Sequence, residues 1–185
     1  RQMCIRDSAM TELKKVTDET DSAYSSFLTN ASKRSVELGT TITDYVNSTA
    51  NFARLGYSMA DATQLSEVAN IYSVVGDEIS GMDEASSSVI STMQAFGIQA
   101  NDAISIVDKF NEVGNRFAIS SGGIGDALTR SASSMAAANN TLDETIALIT
   151  AANTVVQDAP RVGNAFKTIS MRIRGAVSYT HLRAH

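Results

Sequence analysis

Ala100-Asn-Asp-Ala-Ile-Ser-Ile-Val-Asp-Lys-Phe-Asn-Glu-Val-Gly-Asn-Arg-Phe117 places Ala103, Val107, Phe110, Gly114 and Phe117 at spacings of four, three, four and three residues. That repeat keeps one apolar seam on one face of an α-helix. Gly114 within it costs about 1 kcal/mol relative to Ala, which suggests a close crossing where no side chain fits.

The same pattern recurs on both sides. Ala9 to Asn30 carries an imperfect stripe, and Ser35 to Leu55 a tighter one through Leu38, Ile42, Tyr45 and Phe52, ended by Gly56. Ala62, Leu65, Ala69, Tyr72 and Val75 line the next helix up to Gly76, and Asp77 to Met82 reads as a turn. Ala85, Val89, Met93 and Phe96 follow, ending at Gly97; then Ile124, Leu128, Ala132 and Met135; then Leu142, Ile146, Ile149 and Val156. Pro160 suits the first turn of a last helix, lined by Val162, Phe166, Ile169 and Ile173. With one Pro, no Trp and no alternating strand pattern, the expected class is all-α, with antiparallel helix hairpins forming an irregular bundle or a short helical solenoid.

Helix starts carry their own signals. Thr141-Leu-Asp-Glu144 is a capping box, in which hydroxyl and carboxylate each accept from a free backbone N–H, and Ser58 with Asp61 resembles a second start. Gly56-x-Ser58-x-x-Asp61, Gly97-x-Gln99-x-x-Asp102 and Asn139-x-Thr141-x-x-Glu144 share one form at steps of 41 and 42 residues. Such a period suits a solenoid of helix pairs, although a plain bundle fits as well. Gly56, Gly76, Gly97, Gly114, Gly122, Gly123 and Gly125 are expected as turns and hinges, and Ser58, Thr141 and Glu144 as caps.

Both ends look like translated adapter sequence, namely residues 1–8 and 177–185. The expected organisation is then a helical flank over 9–34 and a core helical domain over 35–176. Setting the ends aside removes Cys4, His181 and His185, the only cysteine and histidines, and leaves 12 Lys and Arg against 19 Asp and Glu, a net charge of −7.

These counts bear on function. A chain 19% charged and 43% hydrophobic is neither disordered nor membrane-embedded in composition, and no run of about 18 apolar residues occurs. An acidic chain with scattered bases is poorly suited to neutralising phosphates, so no sequence-specific nucleic acid is expected. Arg161 to Arg174 reads as a solvated helix face. Without Cys or His the usual nucleophile pairs and zinc sites are missing, so no catalytic, cofactor or metal residues are assigned. Asp77-Glu78 and Asp143-Glu144 are neighbours that do not face each other on a helix, and the methionines read as core filler. Ser120-Ser-Gly-Gly-Ile-Gly125 lacks the Lys and Ser/Thr of a phosphate-binding loop and has no strand before it; it reads as a flexible turn with a helix start.

Five central segments resemble the core domain of phage tail tape measure proteins. They are Gly76-Asp-Glu-Ile-Ser80, Ile90-Ser-Thr-Met-Gln-Ala-Phe-Gly97, Ile106-Val-Asp-Lys-Phe-Asn-Glu-Val-Gly-Asn115, Phe117-Ala-Ile-Ser-Ser-Gly-Gly-Ile-Gly-Asp-Ala-Leu128 and Ser131-Ala-Ser-Ser-Met-Ala-Ala-Ala-Asn-Asn-Thr-Leu-Asp-Glu144. Ala165-Phe-Lys-Thr-Ile-Ser-Met-Arg-Ile-Arg174 is similar to the segment that ends that core. The resemblance implies a non-enzymatic structural protein of a phage or prophage tail, acting in tail assembly and tail length determination, with a role in genome ejection. It implies tail tube protein and tail assembly chaperones as partners, self-association inside the tail, and contact with a host membrane only through regions outside this chain. The implied location is the tail lumen of the virion, and the host bacterial cytoplasm during assembly. Two other readings remain open: a helical-repeat scaffold that binds other proteins, and an enzyme that cleaves peptidoglycan.

Overall fold

A computed structural model describes the backbone of residues 2–182 and the side chains of residues 7–175. Among the described residues the secondary structure is helical throughout. The helices are α1 (Gln2–Lys14), α2 (Asp21–Leu38), α3 (Ile42–Arg54), α4 (Met59–Val75), α5 (Met82–Phe96), α6 (Ile104–Gly114), α7 (Ser121–Ala137), α8 (Leu142–Val156) and α9 (Ala159–Leu182), with a 3-10 turn at Ala100–Asp102. The expected all-α class holds. The chain divides into two compact units, one of Arg1–Val75 with Ser80–Ser86 and one of Gly76–Ile79 with Ser87–His185.

In the first unit α3 is central and packs against α1, α2 and α4. Its apolar face supplies Tyr45, Val46 and Ala50, which close over Leu13, Tyr24, Phe27 and Ala31. Burying a large side chain of this kind stabilises by about 1.5–3 kcal/mol, and Phe52, Leu65 and Tyr72 are buried in the same unit. A polar seam joins α3 to α4: Ser66 donates to the Tyr45 carbonyl at 2.9 Å and Asn70 Nδ2 to the Ser66 carbonyl at 2.7 Å. Small hydroxyl side chains let the two backbones approach while satisfying their own polar atoms.

Two helix boundaries differ from expectation. Ala9 to Asn30 is not one helix, because the chain turns after Lys14 and restarts where Thr20 accepts from the Ala23 N–H; Tyr24 Oη ties the turn by donating to the Thr17 carbonyl at 2.9 Å. Ser35 to Leu55 is not one helix either. Gly39 takes φ 70°, the Thr40 N–H returns to the Ser35 carbonyl at 2.8 Å, and Thr41 then caps α3. Two adjacent helices sharing an apolar period read as one wherever the corner between them is short.

In the second unit α7 is central, touching α6, α8 and α9. Ile124, Leu128 and Met135 of α7 are buried with Ile106 and Phe110 of α6, Ile149 of α8 and Val162 of α9. A Cβ on Gly163 would lie 2.5 Å from the Ala127 carbonyl oxygen, so α9 crosses α7 with backbone almost on backbone. The expected buried face of α9 is only half correct. Val162 is buried, but Ile169 and Ile173 are 49% and 60% exposed, and the face is completed instead by Ala159, Gly163 and Ser170. Ser170 Oγ donates to Met135 Sδ at 3.0 Å, and beyond it the apolar stripe of α9 continues uncovered.

Candidate functional site

The spaced motifs mark corners between helices. Gly56, Gly97 and Asn139 all have positive φ, at 92°, 67° and 65°. At Gly97 and Asn139 the following N–H reaches back five residues, Ile98 to Met93 and Asn140 to Met135, which satisfies a carbonyl left open at the helix end. Two residues after the left-handed position the next helix is capped, with Ser58 accepting from the Asp61 N–H and Thr141 from the Glu144 N–H. Gln99 makes no such bond, and a 3-10 turn follows it. The same corner occurs at Gly39-x-Thr41-x-x-Asp44, only 17 residues before Gly56, so the 41 and 42 residue steps are not a structural period.

Glu144 completes its box by accepting from the Thr141 N–H at 2.8 Å. That backbone hydrogen bond, followed by one from the Thr141 hydroxyl, holds its carboxyl below the usual carboxylate range.

Gly122, Gly123 and Gly125 lie inside the first turns of α7 rather than in a turn before it, with Ser120 as the cap accepting from the Gly123 N–H. A Cβ at Gly122 would fall 2.7 Å from the carbonyl oxygens of both Asp77 and Glu78. The linker carrying Gly76 is clipped there: the Gly122 N–H donates to the Asp77 carbonyl at 2.9 Å and the Asp77 N–H to Ser121 Oγ at 2.8 Å. Gly114 is the last residue of α6, and its missing side chain makes room for the Ser121 backbone nitrogen, 3.1 Å from an added Cβ, instead of for a helix crossing. Gly163, which no periodicity singled out, is the glycine that makes the tight helix crossing.

The second unit also carries a groove of about 600 Å³ between α6 and α8. The Lys109–Asp143 ion pair joins the two helices near one end, and Asn153 Nδ2 donates to the Ala118 carbonyl at 3.1 Å near the other, so α6 and α8 run in the same direction. Because α7 makes the return path between them, small Ala147 and Ala151 face Val113 across the gap. Phe117, expected on the core seam, lies past the end of α6, is 58% exposed and lines this groove. Thr150, only 8% exposed, also lines it, and its buried Oγ1 has no hydrogen-bond partner among the described residues.

Among the described residues no group of His, Cys, Asp and Glu is placed to hold a metal, and no helix is long and apolar enough to cross a membrane. Cys4, His181 and His185 lie outside the residues whose side chains are described.

No solved structure matches the chain. A known family matches it over residues 29–180, from within α2 to within α9, and so takes in the corners, the clip and the groove. By that match the chain belongs to the family of phage-related minor tail proteins.

Proposed function

We propose that this chain is the core of a tape measure protein, a tail component whose length sets the length of the tail and which lies in the tail lumen, with tail tube protein and assembly chaperones as its partners. The observation that carries this reading is the run of segments from Gly76 to Glu144 that resembles the tape measure core, inside a chain of the minor tail family. Ejection of the protein ahead of the genome belongs to the same reading. Contact with the host membrane would fall to regions outside this chain.

The physics of a ruler favours a fold that opens. A fully helical chain of 185 residues reaches roughly 280 Å at 1.5 Å per residue, whereas a compact domain of this size has a radius of gyration near 16 Å. Only the extended state measures. Opening requires rotation at the corners between helices, and it uncovers the side chains buried around α3 and α7.

The test is a deletion in the parent phage. Removing residues 98–139 joins Gly97 to Asn140 and Thr141, which preserves a left-handed position followed by a capping box. At helical rise the 42 lost residues shorten tails by about 63 Å, measured by electron microscopy. Tails of unchanged length overturn the ruler reading. The α6/α8 groove favours a second reading, a helical scaffold that binds other proteins; assembled tails of normal length that lack one component would support it.

A further inference from the structure

The link between α4 and α5 carries a strap, and the geometry points to a latch: Gly76–Ile79 docks on the first turn of α7 and leaves it again while the helices stay folded. Its seat is cut for backbone. The Gly122 N–H, one of the donors a helix leaves open at its start, is satisfied by the Asp77 carbonyl, and a Cβ at position 122 would lie 2.7 Å from the carbonyl oxygens of both Asp77 and Glu78. The Asp77 N–H returns a bond to Ser121 Oγ. None of the strap's four residues is buried, so no core side chain of its own holds it down. What it meets on α7 is a hydroxyl and bare backbone, and water satisfies both when the strap leaves.

The docked form is strained. Glu78 has φ 59°, a region that a residue with a Cβ enters at a cost comparable to the net return of one hydrogen bond. Release recovers that cost, so docked and released straps lie close in free energy. Gly81, just beyond the strap, has φ 156° and nothing within 4 Å of an added Cβ, which leaves it free to turn as the hinge. A released strap converts the fixed link into a tether of six residues, 76–81, between α4 and α5. This motion differs from the opening of a corner, because the buried side chains around α3 and α7 stay covered. It belongs to the free chain and does not depend on the tape measure reading.

Amide exchange of the full chain, read residue by residue by NMR, tests the latch. The Asp77 and Gly122 amides should be protected to the same small degree and far less than that of Leu128, in the middle of α7. Ser121→Ala removes the acceptor of Asp77 alone, yet the Gly122 amide should lose protection with it, because both bonds break in one movement. Glu78→Asn, at an exposed position, should raise the protection of both amides about threefold, since asparagine accepts positive φ more readily than glutamate. Glu78→Gln, which removes the same charge but keeps the strain, should leave it unchanged. Gly122→Ala should expel the strap and strip Asp77 of protection, with circular dichroism checking that the helices remain; the Glu78 pair carries the test if that variant does not fold. Asp77 and Gly122 amides as protected as Leu128, a Gly122 amide indifferent to Ser121→Ala, or Glu78→Asn that protects no better than Glu78→Gln would each overturn the latch.

Discussion

Gly163 sits over Ala127 with no space for a methyl group, and Gly122 sits equally close under the Asp77 and Glu78 carbonyls. In both places the obstacle is backbone, which cannot rotate aside as a flexible side chain would. Gly163→Ala should therefore destabilise the protein by about 1–3 kcal/mol, the range for overpacking a close-packed site, despite alanine's higher helix propensity. Urea unfolding reads the change; a stabilised Gly163→Ala would mean that α9 does not cross α7 at this residue. The capping box gives a second residue-level expectation. The Glu144 carboxyl is held low by the Thr141 N–H, so its contribution is present above the unfolded carboxylate pKa of about 4.3 and is lost as pH falls through the lower folded value. Melting curves taken from pH 6 to pH 3 should lose less stability in Glu144→Gln than in the parent, since an amide oxygen still accepts but does not titrate. At this scale the sequence was readable where a local bond decided the outcome, as at Thr141. It was unreadable at Gly163, because a glycine in a helix does not announce which distant backbone crosses it.

Helix identity followed from apolar spacing, yet two boundaries were misplaced because the apolar stripe resumes after the links at 15–20 and 39–41. The readable signal was the corner itself, a left-handed residue followed two positions later by a capping hydroxyl and then an acid. It stands at Gly39 as plainly as at Gly56 and Asn139. Read as a period, it suggested stacked repeats; read as a joint, it marks where α2 gives way to α3. If these joints open when the protein is confined, they should already be the least protected parts of the free chain. Hydrogen exchange by mass spectrometry should show the corners at Gly56–Tyr57 and Gly97–Ile98 exchanging faster than the centres of α6 and α8. Equal protection would remove the corners as the points of extension. The α6/α8 groove lies on the element scale too, and no spacing announced it: Phe117 continues the seam of α6 but falls three residues beyond Gly114, the last residue of the helix, so it leaves the core.

Among the described residues, apolar burial is gathered around two central helices, α3 in one unit and α7 in the other. The all-α class was legible because period, composition and caps agreed. Division into units was not, since Gly76–Ile79 belongs by contact to the second unit while its neighbours on both sides in sequence belong to the first.

That linker has a consequence in time. Its anchor, Ser121, is 44 residues downstream of Asp77, so a ribosome adding about 5–20 residues per second delivers it some two to nine seconds later. Throughout that interval the nascent chain presents α4 and α5 joined by an unfastened strap, and an assembly partner that engages the protein during its synthesis meets the joint before it is locked.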